Sequence, residues 1–405
     1  MKRIVVTGVG MINALGTGRG AFEAIARGEC GVAPVTLCAT EDLTTTIAAE
    51  VKGFDPQSVM KKKEVKKADR FIQLGLFAAD EAVRDAALEG VDCSGFGVVG
   101  ANGMAGIASV EAAADKKHEG SLRHTSPFLI PSYIPNMLAG HVSIRFGMTG
   151  PNLSATTACA AGTHAIIEAC KTLEFGQCEG MIVVGSEAAI TPLALAGFGA
   201  MNALSKRNDD PRGASRPFDV ERDGFVMGEG AGALVLETLE HAQKRGAKIY
   251  AEVAGFGESA DAYHITTPHH EGRGAKQALE AAWKMAGSPA VDYINAHGTG
   301  TRYNDLYEAS AIADVFGSAP LVSSTKGQIG HTLGAAGAIE AVITLLAMEE
   351  GVVPPLINYT GSEPEMARIN LVKQVPVKVK LETALSCNFG FGGTNAAVLF
   401  RKFSG

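Results

Sequence analysis

A chain of 405 residues, 46% apolar and 20% charged, can bury a large core as two or three domains or as two fused halves, and it is too apolar to be disordered. A net charge of −7 argues against bulk nucleic-acid binding, and the longest helical apolar run, AIEAVITLLAM, is too short for membrane insertion. Seven cysteines without a CxxC spacing read as reduced thiols, and MKRIVVTGVG reads as a strand and turn without signal-peptide features, so the expected location is cytoplasmic.

In chain order, hydrophobic periodicity and Gly/Pro breaks predict a strand at 3–7, helices at 20–28 and 64–88, and a strand at 96–100. A helix at 160–175, strands at 181–185 and 232–237, a helix at 238–245 and a strand at 249–256 follow. The series ends with a helix at 273–286, a strand at 292–295, helices at 305–316 and 335–350, and strands at 384–388 and 396–400. This alternation makes the protein α/β. GVGMINALG in the first strand imitates a dinucleotide fingerprint, but Asn13 stands where its third glycine belongs. KKKEVKKADR at 61–70 is either a solvated helix face or a dock for an acidic partner.

The plan occurs twice. Aligning CAAGTHAIIEACKTL at Cys159 with HTLGAAGAIEAVITLL at His331 brings Gly162 onto Gly334 and Glu168 onto Glu340. GEGAGALVLE (228–237) matches GFGGTNAAVLF (390–400), and IVVTGVG (4–10) more weakly matches AEVAGFG (251–257), with the join near Arg245-Gly246. Two α/β units with small-residue helices imply pseudo-twofold packing, in which Cys159 and His331 sit at equivalent helix entrances and face one pocket. The surplus in the first copy, about 103–150 and 197–227, reads as a cap or an oligomer contact.

A thiol at a helix start feels the positive end of the backbone dipole, which favours its thiolate and makes Cys159 the candidate nucleophile. Cys387 is the nearest competitor. NAHGTGT sets His297 at a strand end, with the Thr299 and Thr301 hydroxyls available to an amide-bearing substrate arm. STKGQIGHTLGAAG sets Lys326 and His331 in a second glycine loop, with Glu340 as partner for Lys326. Two histidines in glycine loops and one helix-entrance thiol point to catalysis. The tract NFGFGGTN, with the N–H of Cys159, offers oxyanion-hole donors worth about 2.7–4 kcal/mol each. Phe391 within it is either a plug over an apolar tunnel or a packing residue. His164 reads as a local packing or capping residue. His269-His270 has no ligand at metal spacing, so neither metal nor cofactor is expected.

Together TACAAG, AHGTGT, the Lys326 loop with GHTLGAAG, NFGFGGTN and RPFDVERDGFVMGEGAGALVLE resemble the β-ketoacyl-acyl carrier protein synthases over nearly the whole chain, nearest to the elongating synthase II type. The resemblance implies a thiolase-like fold: two pseudo-twofold-related halves, 1–246 and 247–405, in a five-layer αβαβα arrangement, assembled as a homodimer. It implies that Cys159 carries the acyl chain as a thioester, while His297 and His331 hydrogen-bond the malonyl thioester so that decarboxylation leaves a stabilised enolate. That carbanion attacks acyl-Cys159 in a Claisen condensation with ping-pong behaviour, the oxyanion held by the N–H groups of Cys159 and Phe391. Lys326 and Glu340 match the family's supporting pair. Phosphopantetheine is expected to run toward Thr299 and Thr301, and Met104, Phe198 and Gly392 are placed with the substrate-binding residues. Lys63, Lys66, Lys67 and Arg123 match positions that meet the acidic carrier protein.

Departures from the family pattern bear on the substrate. Gly300 replaces a usual Ser, Asn202 a basic docking residue, NGMAG (102–106) the usual SGIGG, and Ser-Cys-Asn (386–388) the usual Ser-Asn-Ser. Met104 thus stands where an isoleucine lines the acyl tunnel across the dimer interface. A polyketide or polyene ketosynthase, working with a homologous non-catalytic subunit, is the alternative. A thiolase would need Cys387 as a second active cysteine, in the wrong context.

Overall fold

In the computed structural model, which describes residues 2–118, 120 and 122–404, the apolar run IVVTGVGMIN forms a fully buried strand, β1 (Ile4–Asn13). It is followed by β2 (Gly97–Ala101), β3 (Asn152–Ala155), β4 (Gly180–Glu187), β5 (Gly230–Thr238) and β6 (Ala251–Ala260). Then come β7 (Tyr293–Asn295), β8 (Leu321–Ser323), β9 (Asn370–Leu371), β10 (Thr383–Gly390) and β11 (Thr394–Lys402). With the short strand Gly16–Thr17 beside β1, these form a 12-stranded sheet among the described residues, in the order β9-β8-β7-β10-β11-β6-β1-β5-β4-β2-β3.

The sheet is symmetric about the β1/β6 junction, where Val5 and Val6 pair with Glu252 and Ala251. Outward from it, β5 and β4 on one side are antiparallel before β2 and β3 turn parallel. On the other side β11 and β10 are antiparallel before β7 and β8 turn parallel. The strands matched by the sequence repeat, β1 with β6 and β5 with β11, hold equivalent places.

The helices are α1 (Arg70–Asp85), α2 (Ile107–His118), α3 (Met137–Phe146), α4 (Ala161–Glu174), α5 (Pro192–Ala200), α6 (Arg273–Met285), α7 (Arg302–Phe316) and α8 (Ala336–Glu350). One outer layer, α1 with α3, covers β1, β4 and β5; the other, α6 with α7 beside it, covers β6 and β11. Between the two parts of the sheet lie α4 and α8. Ala336 to Met348 of α8 are all buried, and each large apolar side chain there contributes about 1.5–3 kcal/mol through burial.

Small residues set these spacings. A β-carbon on Gly8 or Gly10 would come within 2.3 Å of the carbonyl oxygen of Ala82 or Ala78 on α1. A β-carbon on Gly255 or Gly257 of β6 would come within 2.2 Å of the carbonyl oxygen of Ala282 or Ala278 on α6. The glycines that imitate a nucleotide motif therefore serve helix-on-sheet packing. In the middle layer, a β-carbon on Gly162 would lie 2.4 Å from Ala338 N, and one on Gly337 2.4 Å from Thr163 N, so α4 and α8 meet backbone to backbone.

The helix expected over 64–88 is two helices, Lys62–Val65 and α1, because the Asp69 carboxylate accepts the N–H of Phe71 and starts a new helix. The strands β3, β8 and β9 and the helices α2, α3 and α5 were not foreseen; they are short or carry no clean apolar stripe. No helix among the described residues is long and apolar enough to cross a membrane.

Candidate active site

After β3 the chain passes through Ala158, whose φ of +50° is a strained value for a residue with a side chain, and a 3-10 turn Ala158–Ala160 carries Cys159 to the start of α4. Backbone N–H groups of Phe391 and of Cys159 itself face the sulfur. Burial nevertheless outweighs them and the charge of Lys326, and with the Glu187 carboxylate nearby it pushes the thiol up to about 12. The expectation of a ready thiolate is corrected here: removal from water dominates the helix dipole, and the resting group is the thiol.

His297 follows β7 in a loop pinned by two carboxylates of α7. Glu308 accepts the N–H groups of His297 (2.6 Å) and Gly298 (2.7 Å), and Asp305 those of Thr299 (3.0 Å) and Gly300 (3.1 Å). Burial raises both carboxyl groups, Glu308 to about 7. Sequence reading missed this pair, although carboxylates three residues apart at a helix start, directly after AHGTGT, were a visible signal.

The proton on each imidazole is set by what its Nδ1 meets. Leu333 N–H donates to His331 Nδ1 at 3.2 Å. The Asn388 amide group lies 3.3 Å from His297 Nδ1; its orientation is fixed because Oδ1 accepts from Thr163 (2.6 Å) and Nδ2 donates to Glu340 (2.7 Å). Both Nδ1 atoms are thus acceptors, leaving each neutral ring with its proton on Nε2. Burial, reinforced by the charge of Lys326, holds both rings well below the usual histidine range. Among the described residues neither ring has a carboxylate in ion-pair range; the histidines that do are His164 and His241.

A ligating atom from each of Cys159, His297 and His331 lies within 4.8 Å of the others, and the two rings meet edge-on at 5.3 Å. This is the one group among the described residues that could gather on a metal ion. A metal on either Nε2 would require a proton on Nδ1, against the N–H of Leu333 or the amide of Asn388, so the donor set fits a metal poorly. Behind the rings, buried Lys326 pairs with Glu340 at 2.5 Å and donates to the His297 carbonyl at 2.5 Å. Burial raises the Glu340 carboxyl group while Lys326 opposes the rise.

Cys159, His297 and His331 open on a cavity of about 510 Å³ that Phe198, Phe391, Thr299 and Thr301 also border. Phe391 packs 6.3 Å from Phe198, Phe225 lies 5.2 Å from His331, and the two threonine hydroxyls bond at 2.9 Å. Met104 and Gly392 do not border this cavity. Met104 belongs to an adjoining apolar cluster with Phe198, Phe225 and Leu333. Gly392, at φ +84°, donates its N–H to Ile265 O at 2.6 Å. Lys63, Lys66, Lys67 and Arg123 are exposed elsewhere: Lys66 borders a separate depression with Ser126 and Phe128, and Lys67 lies 4.4 Å over the Phe128 ring. Cys387 is buried with its sulfur 3.6 Å from Glu308 and its thiol raised well above the usual range. His164 bonds Thr157 at 2.8 Å, and His269 stacks on His270.

The family models for the beta-ketoacyl synthase N-terminal and C-terminal domains match residues 1–242 and 250–360. The 3-oxoacyl-[acyl-carrier-protein] synthase 2 of Vibrio cholerae is 44% identical over 411 residues, which cover 99% of either chain. A solved beta-ketoacyl synthase from Burkholderia phymatum matches with a TM-score of 0.93 at 33% identity, and a type II PKS ketosynthase complexed with its acyl-carrier protein with 0.89 at 31%. Both matches cover 100% of both chains. The two pseudo-twofold-related α/β halves in five layers are a thiolase-like fold. On its sequence, its fold and the grouping of one cysteine with two histidines, the chain belongs to the beta-ketoacyl synthase family.

Proposed function

We propose that this enzyme elongates an acyl chain by decarboxylative Claisen condensation with malonyl carrier protein, as a β-ketoacyl-[acyl-carrier-protein] synthase of fatty-acid synthesis. One observation carries the reading: a thiol and two Nε2–H donors converge on one cavity, and both rings are held in the donor tautomer. In the first step Cys159 Sγ attacks the acyl thioester and its carbonyl oxygen gains negative charge, which the N–H groups of Cys159 and Phe391 stabilise. The tetrahedral intermediate collapses, the carrier's thiolate leaves, and it takes up the proton lost by Cys159. In the second step the malonyl thioester oxygen accepts hydrogen bonds from His297 and His331, the C–C bond to the carboxylate breaks, and carbon dioxide departs. The enolate carbon attacks acyl-Cys159; expulsion of the sulfur and its protonation restore the enzyme.

Lys326 and Glu340 support this constellation, and Thr299 and Thr301 offer hydroxyls to the pantetheine amides. Phe198 packs beside Phe391 on the acyl side, with Met104 deeper in the same apolar cluster and Gly392 forming the turn after Phe391. In this reading the chain divides into 1–246 and 247–405, in keeping with the bounds of the two family matches. An elongation assay with acyl- and malonyl-carrier protein, read by product mass, tests the activity. A β-ketoacyl product two carbons longer is expected, and its absence would refute the proposal. Repeated extension without reduction would instead favour the ketosynthase chemistry named for the type II PKS relative.

The acidic carrier protein docks, in this reading, on the basic surface of Lys63, Lys66, Lys67 and Arg123. Charge reversal at Lys66 and Lys67 is expected to raise KM for carrier-bound substrates while leaving kcat nearly unchanged, since exposed charges act mainly on encounter. Steady-state kinetics with an unchanged KM would exclude the dock. The second copy of a homodimer would cover edge strand β3, where Leu153 is 45% exposed, beside Ile144 at 80%. Light scattering is expected to return the mass of two chains.

A further inference from the structure

The condensation chemistry leaves the buried carboxylate nearest Cys159 in charge range, Glu187, without a role. Glu187, the last residue of β4, is completely buried beneath the cavity. Its Oε2 accepts the N–H groups of Gly103 (2.6 Å) and Gly334 (3.0 Å), and its Oε1 accepts that of Met104 (3.0 Å). A β-carbon on Gly334 would lie 2.1 Å from Gly103 N, so two segments far apart in sequence touch where the carboxylate joins them. One segment carries Met104. The other continues directly from Leu333, whose N–H meets His331 Nδ1 and whose backbone is held at φ +48°.

We propose that Glu187 is a positioning residue for decarboxylation: by anchoring the Gly334 peptide it keeps the Leu333 N–H on His331 Nδ1, and by anchoring Gly103 and Met104 it fixes the tunnel wall to the same point. Without the anchor, the strained Leu333 peptide is free to rotate and the His331 ring loses the bond that selects its Nε2–H form. The Cys159 and Phe391 N–H groups do not touch Glu187, so acyl transfer is spared. Glu187 also lies close enough for its negative charge to disfavour the Cys159 thiolate. Burial raises the Glu187 carboxyl to about 7, so its charge is present at mildly alkaline pH; there its loss eases thiol ionisation while loss of the bonds impairs His331, two effects of opposite sign that general damage to the fold would not produce.

The inference rests on the proposed function, and the test separates the two. In Glu187→Met no acceptor remains, so the Gly103, Gly334 and Met104 anchors are all lost along with the charge. Carbon dioxide release from malonyl carrier protein on acyl-primed enzyme is expected to fall about 10–100-fold, as when other orienting hydrogen bonds are removed. Formation of the acyl adduct on Cys159 is expected not to slow, and alkylation by iodoacetamide at mildly alkaline pH to become faster. Glu187→Asp keeps the charge but is one methylene short: decarboxylation is expected to slow with alkylation unchanged, and this variant carries the test if the methionine variant does not fold. Wild-type decarboxylation in a folded variant, or equal slowing of acylation and decarboxylation, would overturn the role of Glu187. A wild-type enzyme that releases no carbon dioxide would overturn the activity itself, and the inference with it.

Discussion

Lys326→Ala is expected to abolish condensation and to destabilise the fold by about 3–5 kcal/mol, the usual cost of stripping one partner from a buried ion pair. The Lys326 ammonium satisfies Glu340 and the His297 carbonyl at once, each at 2.5 Å. Removing it strands the Glu340 carboxylate away from water, and that carboxylate also orients Asn388, which in turn faces His297 Nδ1. Urea denaturation measures the first effect and the elongation assay the second. The double variant Lys326→Met, Glu340→Leu separates them: apolar replacement of both partners is expected to restore much of the stability, because the uncompensated charge is gone, but none of the activity. A single variant as stable as the wild type would contradict the ion pair described here.

Cys159→Ala is expected to lose the acyl adduct and to lower elongation by on the order of 10⁴ or more, the scale seen when a covalent nucleophile is deleted. Decarboxylation of malonyl carrier protein is expected to persist, because Leu333 and Asn388 set the two Nε2–H donors without the sulfur. Intact-protein mass spectrometry and carbon dioxide release check the two halves of this statement. An adduct on Cys387, or decarboxylation lost together with acylation, would break the assignment of separate roles. The pH response has a definite sign: with the thiol pushed up to about 12, the thiolate fraction grows about tenfold per pH unit. Alkylation of Cys159 should therefore keep rising through alkaline pH instead of levelling off, as it would for a thiol ionised near neutrality.

Much of this site could be read from the chain because Cys159, His297 and His331 sit in glycine-rich turns that interrupt strong patterns. The matched spacing of Cys159 with His331 identified two equivalent helix starts, and these do adjoin one cavity. The repeats also paired β1 with β6 and β5 with β11 correctly, since a buried strand flanked by glycine is legible from composition alone. What escaped were groups that act on backbone rather than on side chains. Glu187, Asp305 and Glu308 accept N–H groups of loops whose partners are set by folding, and no periodicity announces such bonds. The acidity of Cys159 was misjudged for a related reason: a helix start is local, whereas exclusion of water is a property of all the layers packed around it. Short elements such as β3, β8 and α3 escaped too, because tertiary pairing and not propensity sustains them.

The backbone contact between α4 and α8 has a dynamic consequence. With Gly162 against Ala338 and Gly337 against Thr163, neither helix has clearance to slide or tilt on the other. Breathing of the layers is therefore closed as a route to the sulfur. The side chains left free to turn beside the sulfur are those of the cavity rim, where Phe391, 36% exposed, packs against Phe198.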